Sequence, residues 1–261
     1  MPMRNNPKRR LPRGCVSILA AAFWLLGWQL GAMALKQEIL LVSPVSVLKR
    51  WFELIGEADF WRRVAFSSLR IAEGLAWGML AGALLGAAAA RCEWVRVLLA
   101  PLVRVIRAIP VASFIILALF WLSKQSLSAF ISFLICFPVF YTNLLTGVKS
   151  VDGQLMEMAD VYGLGPLKRL RYLYFPAVHP YLVAAANVSV GLAWKSGIAA
   201  EVIAVPRGSI GDRLYAAKVY LETGDLLAWT LTIVLLSLAF EGVVKAILRG
   251  LGRGLKREGA K

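Results

Sequence analysis

The sequence predicts an all-α polytopic membrane protein with six transmembrane helices and one helix–turn–helix knuckle at the end of the bundle. Three observations predict it. Hydrophobic residues make up 59% of the 261 residues, with a mean hydropathy of +0.67, against about 45–50% apolar in a soluble domain. Several apolar runs approach or exceed the roughly 20 residues that a helix needs to cross a bilayer. Between the fourth and fifth of these runs lies the longest amphipathic interruption, EMADVYGLGPLKRLRYLYFPAVHP, at 157–180. The lipid bilayer is therefore the first partner the chain implies.

Residues 1–14 are basic, with Arg4, Lys8, Arg9, Arg10 and Arg13. The apolar run Cys15 to Leu35 follows. Ala32-Met33-Ala34 has the look of a cleavage site, but the apolar core is too long for a signal peptide and further spans follow, so a first transmembrane helix is expected. Ser43-Pro44 opens a short segment with Val47, Leu48, Trp51, Phe52 and Ile55 at helical spacing, read as an amphipathic helix lying on the outer membrane surface. The second span covers about Val64 to Ala90. Within it Gly74, Gly78, Gly82 and Gly86 recur every four residues. Such a ladder makes one helix face smooth and lets a neighbouring backbone approach closely.

Arg91 to Arg107 reads as a basic cytoplasmic turn, with Pro101 and Pro110 breaking or kinking the entry to the next span. The third span is placed at about Val111 to Leu122, short unless the preceding stretch is helical and partly embedded. The fourth runs from Leu127 to Val148, the fifth from about Tyr181 to Ile203 and the sixth from Leu226 to Leu248. Ala204 to Asp225 is expected as an external loop. The domain reading is a basic N-terminus at 1–14, one transmembrane domain at 15–250 with the knuckle at 150–180, and a basic tail at 251–261.

In the knuckle, Glu157 to Tyr162 reads as a short helix. Gly163 and Gly165 free the backbone for a reversal. Pro166 suits a first helical position, and Leu167, Leu170 and Tyr174 share one apolar face. Phe175 precedes Pro176, which disfavours helix there. Six spans place both termini and the knuckle on one side. The segments on that side carry about twice as many Lys and Arg as the outer ones, which makes it the cytoplasmic side.

The net charge of +15, from 30 basic and 15 acidic residues, flanks spans rather than forming a nucleic-acid motif, so no nucleic-acid partner is expected. Cys15, Cys92 and Cys136 have no metal-ligand spacing, and His179 is alone. No metal, cofactor or catalytic constellation is expected. The chain has no GxxxxGK[ST] loop to cradle nucleotide phosphates, so any ATP-driven activity would need a separate ATPase.

Glu157, Ala159, Gly163 and Pro176 stand at the offsets of the cytoplasmic coupling loop that is typical of ATP-binding-cassette importer permeases, with Met158 and Phe175 as departures. Ser43-Pro44, Ser68-Leu69-Arg70, Arg107-Ala108-Ile109-Pro110 and Ala200-Glu201 also resemble the nitrate/sulfonate/taurine-type permeases. The similarity spans about residues 40–250. It implies a membrane subunit, not an enzyme, that docks ATPase subunits through 157–176, with Glu157, Ala159, Gly163, Leu167, Leu170 and Pro176 as the coupling residues. It further implies an extracytoplasmic substrate-binding protein and a second permease copy, most simply as a homodimer, with a small anion such as a sulfonate, taurine or nitrate as substrate. On this reading a binding protein would touch Ser209-Ile210-Gly211 and Tyr215 to Tyr220. By the same family resemblance, the membrane would be a bacterial plasma membrane.

Lys195 is the costliest residue in the spans, at about 2.5–3.5 kcal/mol for mid-span insertion. It either faces a translocation path or is neutralised by a carboxylate on another helix. Asn187, Ser189 and Glu201 are further candidates for the path. The alternative function is a stand-alone channel or ion-coupled carrier, which would need no docking knuckle.

Overall fold

The computed structural model describes residues 13–35, 37 and 41–258, with side chains over 19–35, 37 and 41–250. The expected basic N-terminus up to residue 12 lies outside the described residues, as do the side chains of Cys15 and of the tail from 251. The described chain is helical: α1 (Arg13–Leu35), α2 (Pro44–Ile55), α3 (Ala58–Arg91), α4 (Glu93–Ala108), α5 (Val111–Ala118), α6 (Leu127–Lys149), α7 (Gly153–Val161), α8 (Pro166–Arg169), α9 (Phe175–Ala204), α10 (Ile210–Val219) and α11 (Thr223–Glu258).

The packing centre is the pair α3–α6, with α9 laid against α6. Its cause is the glycine ladder. A Cβ at Gly74 would lie 2.1 Å from Ala129 O, one at Gly78 2.7 Å from Cys136 Cβ, and one at Gly82 2.6 Å from Phe140 Cβ. The two backbones approach so closely that no side chain fits between them, as the period-four spacing predicts. Around this seam Ile71, Leu75, Cys136, Phe140, Val190, Trp194, Ile210 and Trp229 form the main core. Trp194 meets Phe240 edge-on at 5.1 Å, and Phe60 lies 4.9 Å from Trp229.

Ser43 caps α2, its hydroxyl accepting from Ser46 N at 3.1 Å, with Pro44 in the first turn. α2 is more than a surface float. Val47 and Leu54 are buried, Trp51 Nε1 donates to Thr232 Oγ1 at 3.0 Å, and Arg50 forks onto Asp225 of α11, Nη2 to Oδ2 at 3.1 Å. That bond pushes the Arg50 pKa above its ordinary value despite partial burial, and it pins α2 to α11. Glu241 and Lys245 form the i, i+4 pair their spacing suggests.

Four described helices or helix runs are long and apolar enough to cross a membrane: Ala58–Arg91, Leu127–Lys149, Pro166–Ala204 and Thr223–Gly250. Leu19–Leu35 is a shorter apolar helix. The expected third span is not a straight helix. The stretch read as a basic turn is helix α4, which passes through Pro101 unbroken, and α5 leaves it at 103°. The break falls at Ile109-Pro110. Pro110 forces Ile109 into the extended region (φ −78, ψ 133) and offers no N–H to continue the helix. The count of six spans is therefore not reproduced: four helices qualify, or five if the bent α4–α5 pair is one span.

Two more expectations change. Helix was expected to stop before Pro176, yet the run from Pro166 to Ala204 is continuous. A π-helical stretch over Leu170–Tyr174 precedes the proline. Its wider turn, with Phe175 N donating to Leu170 O, accommodates the missing donor of Pro176 inside the helix. The expected loop at 204–225 contains α10, capped by Ser209, whose hydroxyl accepts from Asp212 N at 3.0 Å.

Candidate functional site

The knuckle is built from local rules. Asp152 caps α7 by accepting from Gln154 N at 2.9 Å. At its other end Gly163 takes φ +60, the left-handed conformation that only residues with little steric penalty adopt. Leu164 N then reaches Ala159 O at 2.9 Å and Gly163 N reaches Asp160 O at 3.1 Å. This pair of bonds is a Schellman stop. Pro166 starts the returning helix. Ala159, fully buried, sits at the bend, its carbonyl accepting from Leu164 N at 2.9 Å.

Arg169 staples the two arms together. Its Nε donates to Leu164 O at 2.7 Å, an Nη to Ala159 O at 3.4 Å, and the other Nη pairs with Asp160 Oδ1 at 2.6 Å. The sequence reading gave Arg169 no role. The signal it missed was a complementary pair, Asp160 and Arg169, straddling the Gly-Leu-Gly-Pro turn.

A rigid bend with an apolar exterior results. Val161 is 84% exposed, Tyr162 76% and Leu167 77%, with Leu155, Met158 and Leu170 also open. The Glu157 carboxylate stands exposed on α7, and Pro176 is exposed at the start of α9. Exposed apolar surface of this kind, rimmed by charge, marks an interaction site. Behind the bend, a cavity of about 940 Å³ separates it from the ends of α3, α6 and α9, lined by Ala87, Leu144, Val148, Leu164, Leu170 and Val178 among others.

The four polar residues suggested for a path separate into two pairs. Lys195 and Asn187 are exposed on the same face of α9 as Gly191. Eight residues apart, they stand roughly 12 Å from each other along the helix. Lys195 has no ion-pair partner among the described residues. Ser189 and Glu201 are instead fully buried. Ser189 faces α6, its carbonyl accepting a weak bond from Cys136 Sγ at 3.6 Å. Glu201 is enclosed at the far end of the bundle beneath α10, Ser67 Oγ donating to it at 2.7 Å. Both lie off the open face, because the alternation of exposed and buried positions along α9 turns them inward. The Ser209-Ile210-Gly211 stretch is buried too, so of the surface suggested for a binding protein only Tyr215 and 218–220 are open.

Among the described residues no group of three or more His, Cys, Asp or Glu could hold a metal. The geometry is that of a helical bundle carrying a stapled handle.

The chain matches the family "Binding-protein-dependent transport system inner membrane component" over residues 75–257. It is 26% identical over 244 residues to the taurine transport system permease protein TauC of Escherichia coli (strain K12), covering 91% of this chain and 87% of that protein. It is 25% identical over 240 residues to the nitrate import permease protein NrtB of Synechocystis sp., covering 88% and 83%. Its fold is similar to a chain in the crystal structure of an amino acid ABC transporter with histidines, at a TM-score of 0.57 and 15% identity, covering 77% of this chain and 96% of that one. A family match over more than half the sequence, on a helical bundle with a stapled knuckle, places the chain plainly: it belongs to the binding-protein-dependent transport system inner membrane components, the permease subunits of ATP-binding-cassette importers.

Proposed function

We propose that this permease subunit engages a separate ATPase through the knuckle, with Glu157, Ala159, Gly163, Leu167, Leu170 and Pro176 as the residues that make or shape the contact. The carrying observation is the stapled bend whose exposed surface is apolar where a monomer in water would be polar. Leu167, Val161 and Tyr162 supply the contact area. Ala159 and Gly163 hold the angle, and Pro176 fixes where the bend joins α9. An amphipathic helix pair of this size fits a groove on another protein. The knuckle lies in the cytoplasm with both termini, as the surplus of Lys and Arg on that side supports.

Each chain carries one knuckle, so two ATPase subunits need two permease chains, and a homodimer is the simplest closed arrangement. Closure of the ATPases would tilt the helices and alternate access to a path between the two copies. A soluble binding protein would deliver substrate at the opposite end. Lys195 and Asn187 would line the path. A cation on an open face of a membrane span, with no ion-pair partner among the described residues, suits an anion, and the taurine and nitrate permeases among the relatives favour a sulfonate or nitrate.

Two experiments test this reading. Leu167→Asp should release the ATPase from the purified complex while the permease still inserts in the membrane; co-elution unchanged from the unsubstituted complex would count against the knuckle as the contact. Lys195→Glu should cut uptake of a labelled sulfonate or nitrate by about tenfold or more, the effect of reversing one desolvated charge contact, without loss of assembly. Unaltered uptake would remove Lys195 from the path.

A further inference from the structure

Glu201 is a carboxylate buried completely in a membrane-spanning helix, and neither ATPase docking nor the open face of α9 uses it. Its Oε2 accepts from Ser67 Oγ of α3 at 2.7 Å and from Gly211 N, in the first turn of α10, at 3.2 Å. Ser67 Oγ in turn accepts from Ile210 N at 3.0 Å. The two orphan N–H groups that open α10 are therefore satisfied by one carboxylate and one hydroxyl borrowed from two other helices. A single oxygen joins α3, α9 and α10.

The surrounding backbone is shaped for this contact. α9 ends on Val205 in the left-handed region, φ 50, and Gly208 at φ 81 completes the reversal. A Cβ at Gly211 would lie 2.3 Å from Glu201 Cβ, so α10 reaches the carboxylate only because position 211 is glycine. At the rim a second layer repeats the connection. Arg63 of α3 pairs with Asp212 at 2.7 Å and with Asp59 at 2.6 Å, and Asp59 pairs with Arg213 at 2.7 Å. The rim pairs remain partly open to water, which screens them, whereas the contacts of Glu201 are wholly enclosed.

We infer that Glu201 is a positioning residue for transport: its carboxylate locks the first turn of α10 onto α3 and α9, so that this corner of the bundle moves as one rigid unit when the helices tilt. The inference rests on the permease reading for its consequence and on geometry for the lock itself. The carboxylate works as a double acceptor at Oε2. Glutamine keeps that acceptor, and its amide would donate toward the buried Ser128 hydroxyl, which lies beside the carboxylate. Alanine removes both functions.

The test uses the full permease–ATPase complex, spin-labelled at two exposed positions, Glu57→Cys before α3 and Lys218→Cys on α10, in a Cys15→Ser, Cys92→Ser background. Their separation should be a single narrow population in the unsubstituted complex and in Glu201→Gln. It should lose that single population in Glu201→Ala, where ATP hydrolysis stimulated by the binding protein should also fall about tenfold, the scale of one lost hydrogen bond to a charged group, with basal hydrolysis retained. Should Glu201→Ala fail to fold, Ser67→Ala removes the same bridge more gently and should broaden the distance likewise. A distance as narrow in the alanine variants as in the unsubstituted chain overturns the inference, and so does a glutamine variant as broad as alanine. Failure of the unsubstituted chain to retain any ATPase would count against the proposed function alone, since the distance measurement decides the lock without it.

Discussion

Replacing Gly82 by leucine is expected to prevent the bundle from assembling. The first atom added at that position would sit 2.6 Å from Phe140 Cβ and 2.7 Å from Phe137 O. One obstacle is backbone, which no rotamer change can move. α3 and α6 would have to part along the seam on which the main core is built, and α9 packs on the same α6. Overpacking a core costs about 1–3 kcal/mol even when side chains can yield, and here they cannot, so the upper end of that range is the floor. Expression in the membrane should drop sharply and thermal unfolding in detergent should lose its cooperative transition. Gly242→Leu is the control, because nothing lies within 4 Å of a Cβ there. If both variants unfold alike, the ladder is not what holds the two helices together.

Gly163→Val is expected to leave the bundle intact and abolish the stimulation of ATP hydrolysis by substrate. Open space surrounds a Cβ at Gly163, so the effect is purely conformational. A β-branched residue at φ +60 costs about 1–3 kcal/mol, which is comparable with the two backbone bonds that stop α7. The cheaper outcome is a relaxed turn with the apolar ridge re-aimed, while Asp160 and Arg169 lose their register. Gly163→Asn should retain most of the coupling, since asparagine tolerates the left-handed region. Glu157→Lys reverses an exposed charge on α7 and should uncouple hydrolysis without touching the fold. Stimulated hydrolysis at the normal level in Gly163→Val would dissociate the bend from coupling altogether.

The all-helical class was legible because hydrophobic run length and glycine period are one-dimensional properties. Each is imposed by the bilayer or by a single helix face, and both survive without knowledge of the neighbours. The knuckle was legible for a similar reason: Gly163, Pro166 and the leucine spacing act over a few residues. The bent α4–α5 pair was not, although Pro110 was noticed. The sequence marks a break but does not say whether the amphipathic stretch before it lies in the turn or continues as helix. The uninterrupted run through Pro176 was missed because a proline rule is written for regular α-turns, and a π-helical stretch relaxes it. Among the polar residues, Lys195 and Asn187 could be told from Ser189 and Glu201 only once the exposed face of α9 was known.

The residues alone determined that this chain is a membrane-embedded helical bundle with a rigid handle between two spans, because burial of apolar length and local turn chemistry need no partners. The tertiary structure decided which polar groups are open and which are locked away. Arg169 on Asp160 and Glu201 under Ser67 and Gly211 are contacts between residues distant in the chain or across a turn. Their meaning depends on distances that a carboxylate or guanidinium must satisfy once it has left water, and no spacing rule encodes those distances.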